Sequence, residues 1–197
     1  GSNWFIKNSI IDYIDVHNNS SIIVTNCIIT DRLINSNSPT ALFVNNDFFN
    51  SYLESVYYGR FENNIFFNEN ILGTLPNYCI FNNNLTFDNL DQTLPPTNNS
   101  GVGNLSNTDP VFVNGPTVSV NVLFSNVANY DLHLSSTSPA KNKGTDGTDL
   151  GIYGGAYPMP NMNGVSNLPF IKTVNVTNPV IDKDKSLQIK VKAYKHE

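Results

Sequence analysis

Apolar and polar positions recur with a period near 19 over the first ninety residues. Five segments carry the pattern: "FIKNSIID" (5–12), "IVTNCIIT" (23–30), "FVNNDFFN" (43–50), "FENNIFFN" (61–68) and "FNNNLTFD" (81–88). Anchored on Asn8, Asn26, Asn46, Asn64 and Asn84, they are spaced by 18, 20, 18 and 20 residues. Three positions earlier stand Phe5, Ile23, Phe43, Phe61 and Phe81. Two positions later stand Ile10, Ile28, Phe48, Phe66 and Thr86. A β-rich period of this length predicts a solenoid in which each strand pairs with its copy in the coils above and below. At about 4.8 Å per rung, five coils make a rod roughly 24 Å tall.

The Phe and Ile columns are expected to stack inside the rod. The Asn column is expected to form both a tight turn and a ladder. Asn tolerates the left-handed conformation, and its amide can bond to the next Asn along the stack. A left-handed β-helix would need a six-residue sub-period that is absent. A leucine-rich repeat would need leucine where this chain has Phe and Ile. The expected fold is therefore all-β: a right-handed parallel β-helix of about five short coils with an Asn ladder.

Composition supports a β-and-loop chain. Asn makes up about a sixth of the 197 residues, and only 14% are charged. The net charge is −5, and no basic stripe is present, so nucleic acid is not expected as a partner. No apolar run reaches the roughly 18 residues of a membrane span. Cys27 and Cys79 fall in the second and fifth coils. Three rungs separate them by roughly 14 Å, so free, buried thiols are expected. Residues 1–2, "GS", read as a cloning remnant.

The period fades after Asp88, and "LDQTLPPTNNSGVGNL" (90–105) reads as a loop from its Pro, Gly and Asn content. A second group of motifs follows: Asp109, Pro110 and Phe112; Tyr130, Asp131, Leu132, His133 and Leu134; Ser138, Pro139 and Ala140; then Asp149, Gly151, Tyr153, Gly154 and Gly155. In this order they resemble the ending of bacterial secreted or surface β-helix proteins of the pectin-lyase-like superfamily, over roughly residues 3–158. The resemblance implies a secreted or cell-surface location and a polysaccharide partner. It also implies that the last segment closes the rod. Coils and a loop insertion are expected over 3–128, a capping segment over 129–167 and a β-hairpin over 168–197. In that hairpin Leu187, Ile189, Val191 and Ala193 alternate with polar residues, and "DKDK" supplies a turn.

Candidate chemistry is sparse. Asp146 and Asp149 suggest calcium, but an EF-hand loop would need further acids and a closing Glu. They are expected instead to join Gly151, Tyr153, Gly154 and Gly155 in a plug over the last rung, with no cofactor and no metal. Tyr52, Tyr57 and Tyr58, with Asp31 and Glu69, are the candidate glycan contacts. No catalytic residue is assigned, because neither a paired-carboxylate nor a Ser-His-Asp pattern is present. The expected function is the C-terminal scaffold of a polysaccharide-binding or polysaccharide-acting β-helix protein. The alternative is a non-catalytic adhesin or surface stalk. Further N-terminal coils, or a partner, are expected to cover residues 3–12.

Overall fold

The computed structural model describes residues 3–16, 21–35, 38–67, 76–88, 93–118 and 120–160, together with two strands at 170–176 and 189–194. The chain divides into two compact units, Gly1–Met159 and Pro160–Glu197.

The first unit is a parallel β-solenoid of about 4 turns. One sheet stacks β1 (Asn3–Lys7), β3 (Ser21–Thr25), β5 (Ala41–Val44), β8 (Arg60–Glu62) and β10 (Ile80–Asn82). The other stacks β2 (Ile10–Val16), β4 (Ile28–Asn35), β6 (Asp47–Phe49), β9 (Ile65–Phe67) and β11 (Leu85–Phe87). A further strand, β7 (Tyr52–Glu54), pairs with the second half of β4. We refer to these as the first and second sheets. Every pairing within them is parallel.

Register corrects the sequence alignment by one residue in the first two coils. Val24 pairs with Phe43, Phe43 with Phe61, and Phe61 with Phe81. The inward column is thus Ile6, Val24, Phe43, Phe61 and Phe81, while Phe5 and Ile23 face outward. Phe5 is 52% exposed, whereas Val24, Phe43 and Phe61 are fully buried. On the second sheet the inward column is Ile11, Ile29, Phe48, Phe66 and Thr86. Phe61 lies nearly parallel to Phe43 and Phe81, with centroids at 5.0 and 4.7 Å, and Phe48 stacks on Phe66 at 4.7 Å. Each such pair contributes about 0.5–1.5 kcal/mol beyond simple burial.

The Asn column divides in the same way. Asn8, Asn26, Asn45, Asn63 and Asn83 occupy the corner between the sheets, all with φ between 51° and 59°. The residues that follow them point inward. Cys27 N donates to Asn46 Oδ1, Asn46 N to Asn64 Oδ1, Asn64 N to Asn84 Oδ1 and Asn84 N to Asn104 Oδ1, all within 2.8–2.9 Å. The expected turn and the expected ladder are therefore two adjacent columns. Asn46, Asn64 and Asn84 belong to the ladder. Asn8 and Asn26 belong to the turn.

Asn104 shows that the predicted loop is partly a sixth rung. Phe81 N donates to Ser100 O and Thr86 N to Leu105 O, each at 2.8–2.9 Å. Gly101 stands where the Phe column would continue. A Cβ there would lie 1.7 Å from Phe81 O, so this rung can close over Phe81 only without a side chain. Leu94 also packs against the core.

Both cysteines are free and buried, and loss of solvation pushes each thiol up to about 11. In the second unit, β14 (Phe170–Val176) and β15 (Ile189–Tyr194) pair antiparallel. This agrees with the expected hairpin, whose turn lies outside the described residues.

Candidate functional site

The glycine-rich segment was expected to plug the last rung. It instead forms a strap along the side of the rod. It runs back from the fifth coil to the first over the corner column of left-handed asparagines. Asn83 Nδ2 donates to Lys143 O and Asn63 Nδ2 to Thr145 Oγ1. Asn45 Nδ2 reaches the carbonyls of Asp149 and Gly151, and Asn26 Nδ2 those of Ile152 and Gly154. The physical reason lies in the corner itself. A left-handed turn aims each Asn amide out of the rod, where it needs a partner. An irregular segment laid alongside supplies carbonyl or hydroxyl oxygens at the second to fifth coils.

The individual plug residues take distinct positions in this strap. Asp149 accepts from Asn142 N at 2.9 Å and Lys141 Nζ at 3.1 Å. Asp146 accepts from Thr148 N and Oγ1. Partial burial works against the Asp146 charge, but these bonds prevail and hold its carboxyl below the usual range. Tyr153 stacks on His133 at 3.7 Å. Gly151, Gly154 and Gly155 pass against Asp47, Asp149 O and Asn45 respectively, with no room for side chains.

The strap, together with the antiparallel pair formed by β12 (Phe112–Asn114) and β13 (Asp131–Leu134) within the same unit, packs on the outer face of the second sheet. The outward column of that sheet is Ile10, Ile28, Asp47, Ile65 and Leu85, buried from Ile28 onward. Ile152 N donates to Asp47 Oδ1 at 3.3 Å, while Asp47 Oδ2 has no hydrogen-bond partner among the described residues. Burial raises the Asp47 carboxyl well above its ordinary value, against a smaller lowering by Ile152 N–H. Farther along, Phe49 and Phe67 pack under Phe112 of β12.

The first sheet keeps an open outer face. Its two outward columns read Phe5, Ile23, Leu42, Arg60 and Ile80, then Lys7, Thr25, Val44, Glu62 and Asn82. The floor mixes apolar and polar side chains in equal number, and Arg60 and Glu62 neutralise each other in a salt bridge. One flank carries Tyr58 and Tyr78, 43% and 64% exposed, with centroids 5.4 Å apart and planes within 15°. The other flank is the strap. There Tyr157 meets Phe5 edge-on at 5.8 Å, and Lys7 Nζ sits 4.7 Å from the Tyr157 ring centre. A groove of about 250 Å³ lies between them, lined by Ile23, Val44, Asn45, Asn63 and Asp146 among others.

The sequence candidates fare unequally. Tyr58 lies on this face. Tyr57 is half-buried at the neighbouring corner, where its N–H donates to Asn35 O. Tyr52 lies in β7, on the second sheet and away from Tyr58. Asp31 is half-buried in β4, also on the second sheet. Glu69 lies outside the described residues. Sequence reasoning missed Tyr78 and Tyr157. Tyr78 could have been found, because it stands twenty residues after Tyr58 and shares its column.

Fold and open face together define a parallel β-solenoid with one sheet whose outer face is left open among the described residues of its unit. No family model, curated protein or solved structure matches the chain.

Proposed function

We propose that this chain is a non-catalytic scaffold that binds polysaccharide on the outer face of its first sheet. We place it in a secreted or cell-surface protein of the pectin-lyase-like kind. The observation that carries the reading is the Tyr58–Tyr78 pair. Both residues adopt the left-handed conformation, with φ of 60° and 56°. That conformation costs a bulky residue about 1–3 kcal/mol, and Asn98 fills the same column in the next coil at φ 63°. Neither the turn nor the core calls for tyrosine here. A solvent-facing pair of aromatic rings beside a floor of mixed apolar and polar side chains suits pyranose rings, which carry both C–H faces and hydroxyls. A scaffold role fits the acids: Glu54 and Glu62 are held by Arg32 and Arg60.

The test is retention on immobilised neutral and acidic polysaccharides, comparing the protein with the Tyr58→Ala/Tyr78→Ala double variant. Binding by the protein and its loss in the variant is the expected result. No binding to any of these polymers, or equal binding by both proteins, would favour a purely mechanical stalk.

A further inference from the structure

The open face carries two aromatic stations. Tyr58 and Tyr78 flank rungs four and five, and Phe5 and Tyr157 flank the first. Phe5 and Tyr58 are three rungs apart, roughly 14 Å on the strand spacing. The floor between them is continuous, because Ile23, Leu42, Arg60 and Ile80 are successive members of one column. Between the two stations it offers no net charge, since Arg60 is paired with Glu62. At the strap end, the ammonium of Lys7 and the carboxylate of Asp146 lie near the same groove with opposite signs. A polyanion or a polycation would meet one like charge there. An uncharged chain would meet hydrogen-bonding groups of both kinds.

We infer that the ligand is a linear, uncharged oligosaccharide lying along the rod axis and spanning both stations, with the Phe5–Tyr157 groove as its second subsite. The inference rests on the glycan reading above and specifies its polymer class, length and direction. Two linked contacts on one ligand convert the second binding event into an intramolecular one. Affinity therefore rises with chain length until both stations are filled.

Calorimetric titration with cellohexaose, mannohexaose and xylohexaose, each beside its disaccharide, tests this. Oligogalacturonate of the same length serves as the acidic control. At least one neutral hexasaccharide is expected to bind about tenfold or more tightly than its disaccharide. Tyr157→Ala should bring the hexasaccharide Kd back to that of the disaccharide. Phe5→Ser, from the opposite wall, should do the same, which separates subsite loss from a disturbed strap. Equal affinity for long and short chains, indifference to both substitutions, or preference for oligogalacturonate would overturn the inference. Each of those results leaves the Tyr58–Tyr78 site standing if its double variant still loses binding. Absence of binding by every sugar overturns both.

Discussion

Asp47 shows how one residue can oppose the fold that contains it. Its column is otherwise Ile10, Ile28, Ile65 and Leu85, and the strap seals Asp47 from water. One carboxylate oxygen has a single N–H donor and the other has no partner among the described residues. The folded state therefore prefers the protonated acid, and burial holds its pKa well above the ordinary carboxylate value of about 3.9. The unfolded chain ionises near that value. Stability is thus greatest below about pH 4 for this group and falls as pH rises toward the folded pKa. Asp47→Asn should remove that slope and stabilise the protein at neutral pH. Urea unfolding of both proteins at pH 4 and pH 7.5 checks this. The prediction fails if the two proteins differ equally at both pH values.

At the scale of strands and turns, the coils were legible because each rung repeats the same physical demands. Phe43, Phe61 and Phe81 must stack, and a residue tolerant of positive φ must turn each corner. The first two coils were misread by one residue because "IVTNC" has a single Asn where "FVNND" has two. A lone Asn cannot reveal whether it belongs to the turn or to the ladder, and Cys27 conceals the inward position. A shift of one residue exchanges the faces of a strand, which is why Phe5 was placed inside. The sixth rung was illegible for a related reason. Gly101 and Gly103 replace the side chains that would have marked it. Gly101→Ala should therefore cost at least about 2 kcal/mol, since it combines strain at positive φ with a backbone clash. Gly147→Ala meets no atom within 4 Å, so its cost should be limited to the φ term, about 1 kcal/mol. Thermal melts of the two variants compare them directly. Equal losses would mean that the sixth rung does not close tightly over Phe81.

For the whole solenoid unit, the strap changes how stability is shared. In a simple solenoid each coil contacts only its neighbours, so the ends can fray independently. Here one segment bonds to Asn83, Asn63, Asn45 and Asn26 and then packs on Phe5. Its path was not legible in the sequence, because nothing local in "GTDGTDLGIYGG" distinguishes lying over an end from lying along a side. The partners that decide it are 60 to 128 residues away. Replacing both Asn26 and Asn45 by Ala should uncouple the first coils from the rest. Hydrogen exchange should then show β1 and β3 losing protection before β8 and β10. If all four strands exchange together in that variant, the strap is not what couples them.

The strap also counts. Lys143, Thr145, Asp149 and Ile152 meet the fifth, fourth, third and second coils in turn, and Tyr157 meets the first. Inserting or deleting one coil would put every one of these contacts out of step by a rung. Most solenoids lengthen and shorten freely over evolution by duplicating repeats. This one can change its number of coils only if the strap changes length in the same event, so its repeat number should be unusually fixed among its descendants.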